Sequence, residues 1–172
     1  QFGMDKWHET ISTKEFESVL FFKNHGPMSG GSIRHPHSQI IGLRTYDYHE
    51  DITVENMNGW LLHEDQDIRI TLSKHPIIGF FEYNLRFKPD TPAKSITMRL
   101  QQTVRYVLDS LAKYSQSYNY FFYQLEDGYE YIKVIPRYIT TPLYVGYKIP
   151  QTCNDERAAK ILRNITPYFE LK

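Results

Sequence analysis

An α+β fold, an antiparallel sheet with packed helices, is what this chain of 172 residues predicts. Three observations carry that expectation. Short apolar segments recur between polar turns, as half-buried strands do. One long helical stripe stands between two groups of these segments. An Asp-Gly pair closes two aromatic-rich segments into a hairpin, and strands joined by tight turns around a helix favour an antiparallel sheet over a parallel one.

Residues 1–17 are polar and carry no assignment. Ser18 to Lys23 reads as a buried strand running into a glycine-rich loop. His35 to Leu43 reads as the next strand, supported by its apolar tail Ile40-Ile41-Gly42-Leu43. Gly59 to His63, Ile68 to Leu72 and Ile77 to Tyr83 read as three more, separated by polar turns. Leu100, Val104, Val107, Leu108 and Leu111 then form one apolar face at helical spacing, with Pro92 marking the start. Tyr118 to Leu125 and Tyr129 to Tyr138 form the hairpin around Glu126-Asp127-Gly128. Leu143 to Ile149 reads as extended. Asn154 is suited to cap a last helix whose first turn carries Asp155 and Glu156.

The chemistry concentrates in residues 24–39, Asn-His-Gly-Pro-Met-Ser-Gly-Gly-Ser-Ile-Arg-His-Pro-His-Ser-Gln. Gly26, Gly30 and Gly31 let the backbone turn sharply, and with Ser29 and Ser32 they read as a loop offering N–H groups to a phosphate. In an extended strand alternate residues share a face, so His35, His37 and Gln39 would line up together. His37 is then central, ~7 Å from each neighbour along the strand. A neutral imidazole can attack phosphorus, which makes His37 the candidate nucleophile. Gln39 can donate to a phosphoryl oxygen but cannot deliver a proton to a leaving group as an imidazolium can. This favours transfer between acceptors over simple hydrolysis.

Asn24-His25-Gly26, Gly30-Gly31-Ser32 and His35-Pro36-His37-Ser38-Gln39 resemble the active-site segment of galactose-1-phosphate uridylyltransferase and its relatives in the histidine-triad-like superfamily. The resemblance implies a histidine-triad-like antiparallel sheet. It implies that His37 is the nucleotidylated residue, that Gln39 and Ser32 contact the transferred phosphate, and that Asn24 helps to bind it. In the hydrolytic triad proteins a third histidine stands where Gln39 stands. Three positions depart from the family pattern: Lys23 and His25 in Lys23-Asn24-His25-Gly26, where the family often has Glu-Asn-Lys-Gly, and Ser38, where it has the glycine of H-P-H-G-Q.

A looser match follows. Tyr131-Ile132-Lys133-Val134-Ile135-Pro136-Arg137 and Leu143-Tyr144-Val145-Gly146-Tyr147-Lys148 resemble the family segments H-x-H-F-Y-P-P and F-M-V-G-Y-E. Tyr131 and Lys133 replace both histidines, and Lys148 replaces the glutamate that grips the hexose, while Val145 and Tyr147 are retained as substrate-binding candidates. The resemblance therefore implies a nucleotidyltransferase with a kept nucleotidyl site and an altered acceptor site. Its partners would be a nucleotide or nucleotide-sugar and a phosphorylated acceptor. Two alternatives stand beside it: a dinucleoside polyphosphate hydrolase or phosphorylase, and a nucleotide-binding module without turnover. The family's structural zinc uses an upstream cysteine pair plus the first histidine of H-P-H. No such pair exists here, so no metal or other cofactor is expected and His35 would orient His37. Zinc would need ligands outside these residues.

Twenty basic and twenty acidic side chains cancel, so no broad field draws the chain to nucleic acid or an anionic membrane. No apolar run approaches the ~20 residues of a membrane helix, and no segment resembles a signal peptide. A single cysteine, Cys153, excludes an internal disulfide, fits a reducing, cytoplasmic setting and reads as inert. The length suits one unit over 1–172, or two half-units of the family's duplicated fold, about 1–90 with the motif and 91–172 with the second-substrate segment. A homodimer is left open. His8, His49, His63 and His75 read as solvated or structurally satisfied, and the aromatic run 118–123 as core. His25 stays open between phosphate contact and a capping role. Lys133 and Arg137 flank a strand and read as phosphate ligands or as solvated charges on a sheet edge.

Overall fold

The computed structural model describes residues 1–170 apart from 34, 79–80, 114, 139–141, 148, 150–153 and the side chain of Leu111. The expectations for Cys153 and Lys148 lie outside the described residues. Helix α1 (Phe2–Ser12) is followed by β1 (Ser18–His25), β2 (Gln39–Leu43), β3 (Gly59–Glu64), β4 (Ile68–Ser73) and β5 (Tyr83–Phe87). Then come α2 (Ala93–Leu111), β6 (Tyr118–Gln124), β7 (Glu130–Pro136), α3 (Pro142–Tyr147) and α4 (Asp155–Glu170). The seven strands form one antiparallel sheet in the order β2-β1-β6-β7-β5-β4-β3. The α+β class is as expected.

The β6–β7 hairpin turns at Gly128, whose φ of 78° suits a residue without Cβ. It lies at the centre of the sheet, with strands from the first ninety residues on both flanks. All seven residues of β7 are buried. On one face Ile70, Leu85, Ile132 and Val134 meet α2 and α4, whose Ile96, Val107, Ile161 and Ile165 complete the main core. Asn154 Oδ1 caps α4 by accepting from Arg157 N at 2.9 Å.

One unassigned segment gains a helix and three expectations change. Residues 1–17 contain α1, anchored by the fully buried Trp7, whose Nε1 donates to Val19 O at 3.0 Å. Met4, Trp7 and Ile11 carry the three- and four-residue spacing that marks this helix. The strand expected over Ile77–Tyr83 begins only at Tyr83, because the Glu82 carboxylate accepts from Ile77 N at 2.9 Å and Ile78 N at 2.7 Å and holds them in a turn. Of the stretch expected to be extended over Leu143–Ile149, Leu143–Tyr147 is helical and belongs to α3, with Pro142 pre-set for a first helical turn. The motif strand is shorter than expected and starts at Gln39 rather than His35. Pro36 has no N–H for a ladder, and the Lys23 side chain holds this stretch instead, its Nζ donating to His37 O at 3.2 Å.

One cross-strand row positions the rest: Gln39, Phe22, Phe121, Lys133, Asn84 and Thr71 are successive partners across six strands. Directly opposed residues share a face, so all lie on the side away from α2 and α4. Lys133 is three strands from Gln39, roughly 14 Å at ~4.8 Å per strand.

Candidate functional site

The site gathers where β1 runs into its loop. Gly26 and Gly30 have φ values of 81° and 79°, which side chains disfavour. A Cβ on Gly26 would also meet Ser117 Oγ at 2.4 Å. Between them the turn Pro27–Ser29 buries Ser29, whose hydroxyl donates to Gly26 O at 2.7 Å. Ser117 Oγ accepts from Met28 N at 3.1 Å and ties the loop to the segment before β6.

Asn24 at the end of β1 faces its partner Asn119 on β6. Asn119 is buried, and its Nδ2 donates to Asn24 Oδ1 at 2.6 Å and to Ser29 O at 3.0 Å. Its own Oδ1 accepts from Arg137 Nη1 at 2.8 Å. Arg137, an expected phosphate contact, thus acts on the loop through Asn119. Asn119 escaped the sequence reading because it sits inside an aromatic run; its cue is a lone amide at an inward strand position, which must be hydrogen-bonded if buried.

A hollow of about 460 Å³ opens beside this loop, lined by Lys23, Asn24, Ser29, Gly31, Ser32 and His35 among others. Gly31 and Ser32 therefore face it, and Gly30 supplies the turn before them. His37 and Gln39 stand beside the hollow rather than in its lining. The His35 and His37 rings lie 5.4 Å apart. His37 Nδ1 is 2.9 Å from His35 O. A carbonyl only accepts, so in the neutral ring the proton is on Nδ1 and the lone pair on Nε2. The Gln39 amide nitrogen is 3.4 Å from His37 Nε2, a long approach consistent with an acceptor there. The motif's three polar groups are thus together, although only Gln39 belongs to a strand.

Around them the field is adjusted by burial. Burial lowers the Lys23 pKa. It lowers that of His25 as well, helped by the Lys23 charge, which favours the neutral ring. His25 stacks on Tyr118 at 4.7 Å. Burial raises the Tyr120 hydroxyl, with its hydrogen bond to Ser38 opposing.

Other expected residues lie elsewhere. Lys133 is on a central strand, not a sheet edge, and is fully buried. Its Nζ contacts Glu82 at 3.0 Å and donates to Asn56 O at 2.8 Å. Burial pushes its pKa down, with Glu82 opposing. It is a core ion pair and reaches neither the loop nor solvent. Val145 and Tyr147 are 66% and 75% exposed on α3 and do not line the hollow. His8, His49, His63 and His75 each meet a carboxylate, at 2.6, 2.5, 3.1 and 3.7 Å, and the aromatic run 118–123 packs into the two apolar clusters.

His35 stands where the resembled family places a zinc ligand. Among the described residues no three His, Cys, Asp or Glu side chains come together as a donor set, so the residues around His35 do not fit a tetrahedral zinc. Nor is any helix among them long and apolar enough to cross a membrane.

The chain belongs to the DUF4931 family. Residues 1–46 match the "domain of unknown function (DUF4931) N-terminal domain" and residues 49–169 its C-terminal domain. The fold is similar to that of a DUF4931 family protein from Bacillus cereus ATCC 10987, at 38% identity and a TM-score of 0.85, over 99% of this chain and 77% of that one. It also matches two uridylyltransferase structures, one of them of a mutant. Their identities are 14% and 15% and their TM-scores 0.70 and 0.68, over 95% of this chain and 68% and 65% of theirs. Those two show a shared fold. No curated protein matches the chain.

Proposed function

We propose that this member of the DUF4931 family is a nucleotidyltransferase that works through a nucleotidyl-histidine on His37. The observation that carries the reading is the 2.9 Å contact from His37 Nδ1 to His35 O, which in the neutral ring puts the lone pair on Nε2, the nitrogen beside the Gln39 amide. The Nε2 lone pair attacks the α-phosphorus of a nucleotide-sugar or related diphosphate. As the N–P bond forms, the P–O bond to the departing phosphate breaks and that oxygen keeps the electron pair. A phosphate oxygen of the acceptor then attacks the same phosphorus, and His37 leaves as the neutral ring.

Developing charge on the phosphoryl oxygens is met by the Gln39 amide and by donors of the loop around Gly31 and Ser32. Asn24 presents its NH₂ as donor, because its oxygen is engaged by Asn119. Sugar phosphates and pyrophosphate are fair leaving groups, so a glutamine in place of a proton donor suffices. The altered acceptor segment, with Lys133 withdrawn into the core, supports an acceptor different from that of the resembled family.

The test is intact mass after incubation with a panel of nucleoside diphosphate sugars and dinucleoside polyphosphates. One acid-labile nucleoside monophosphoryl group is expected on the parent and none on His37→Ala. Absence of an adduct with every donor, or labelling that survives His37→Ala, refutes the assignment.

A further inference from the structure

Four and five strands from the motif, roughly 19 and 24 Å at ~4.8 Å per strand, the same open face of the sheet carries an unexplained pair of cations. Arg69 on β4 and Arg86 on β5 are direct cross-strand partners, and both are half-buried. Like charges directly opposed on neighbouring strands repel. The protein's own carboxylates do little to offset this. Glu64 approaches Arg69 only to 3.4 Å in a pair about half exposed, an arrangement that contributes little. Among the described residues Arg86 has no carboxylate at ion-pair distance; its guanidinium lies 4.4 Å from the centre of the Tyr129 ring. Asp127, close by, is engaged by Tyr129 N at 3.2 Å and the Tyr131 hydroxyl at 2.5 Å.

Arg69 and Arg86 both line two hollows, of about 500 and about 280 Å³. Lys88 adds a third cation to the larger one, whose lining also includes Glu64, Asp67, Asp90 and Asp65, the last engaged by Arg99 at 2.6 Å. The turn at Val54–Met57 lies over the strand row between these hollows and the motif, through Met57 O, which accepts from Thr71 and Asn84 at 3.1 Å. This is a separate place on the molecule, not an extension of the His37 site.

We propose that Arg69 and Arg86 form a binding site for a small phosphorylated polyol. Two arginines lining one hollow can match the oxygens of a single phosphoryl group with their planar forks, which a lone lysine would hold only as a point charge. The larger hollow exceeds the volume of a phosphate ion, and its carboxylates would accept hydrogen bonds from hydroxyls. The same carboxylates would repel a polyanion, which excludes a nucleic acid backbone from the role.

Calorimetric titration of the full chain with glucose 6-phosphate, inorganic phosphate and glucose tests this. Glucose 6-phosphate should bind saturably, inorganic phosphate should compete more weakly, and glucose should not bind. Arg69→Gln and Arg86→Gln should each weaken glucose 6-phosphate by roughly tenfold or more, the scale of a lost charge-assisted hydrogen bond. His37→Ala should leave the affinity unchanged, which separates this site from the proposed nucleotidyl site. Because the pair repels, each arginine variant should have a Tm in phosphate-free buffer equal to or above the parent's. The proposal is overturned if glucose 6-phosphate does not saturate, if both variants bind like the parent, if His37→Ala abolishes binding, or if both variants melt below the parent.

Discussion

Asn119 Nδ2 lies 2.6 Å from Asn24 Oδ1, and this contact decides which end of the Asn24 amide faces the loop hollow. Arg137 holds Asn119 from behind at 2.8 Å, so three residues from three parts of the chain act as one positioning device. Asn119→Leu should leave Asn24 free to flip and Ser29 O unpaired, at a cost of about 1–3 kcal/mol. Adduct formation on His37 should slow by roughly tenfold or more, with the loss in the dependence on donor concentration rather than in the lability of the adduct. Arg137→Gln should do the same to a lesser degree. Single-turnover labelling across donor concentrations measures both, and unchanged labelling in Asn119→Leu would remove the device.

Gln39 separates transfer from hydrolysis. Gln39→Ala should slow both half-reactions by about 10²-fold, as loss of a well-placed oxyanion donor does. Gln39→His should raise hydrolysis of nucleoside phosphoramidates or dinucleotides relative to the parent, because an imidazolium can protonate a poor leaving group. The readout is free nucleoside monophosphate against transferred product. A parent that hydrolyses as fast as it transfers would refute this use of Gln39.

The Lys133–Glu82 pair sets a stability prediction. Both side chains are fully buried, 3.0 Å apart. Glu82→Ala should destabilise by about 3–5 kcal/mol, since it leaves an uncompensated buried ammonium. It also releases the Ile77 and Ile78 amides. Lys133→Met should cost less, because the Glu82 carboxylate keeps those two donors. Urea unfolding of both variants checks the order, and equal losses would contradict it.

Asp65 gives a pH signature. Burial acts to raise its pKa, but donation from Ile68 and Asp67 amides, His63 and Arg99 outweighs it and holds the carboxyl well below its ordinary 3.8. The sign follows: a depressed folded value contributes stability that is complete above pH 3.8 and disappears as pH falls through the lowered folded value. Asp65→Asn should therefore melt below the parent at pH 7, with a deficit of about 1 kcal/mol given the group's partial exposure. The deficit should begin to shrink only below about pH 4. Thermal melts of both proteins from pH 2 to 7 measure it, and a gap that stays constant throughout that range would contradict the assignment.

Residues whose structure depends on near neighbours were legible from the sequence alone. The Asp127-Gly128 turn needs only a positive φ, the Asn154 cap needs only the amide of Arg157, and the helix from Ala93 needs only its own periodicity. The motif was legible too, because two histidines and a glutamine at alternate positions remain together even where the ladder stops at Gln39. Tertiary structure decided whatever depends on partners far along the chain. Lys133 is buried because its hairpin was inserted between strands of the first ninety residues, and no local pattern announces which strand will be central. Ile77 and Ile78 lost their strand to a carboxylate that Lys133, about fifty residues later in the chain, holds in place. Asn119 became part of the site for the same reason: its partners Asn24 and Ser29 lie ninety or more residues earlier. Burial turns a polar side chain into a demand for a partner, and only the folded sheet determines which partner answers it.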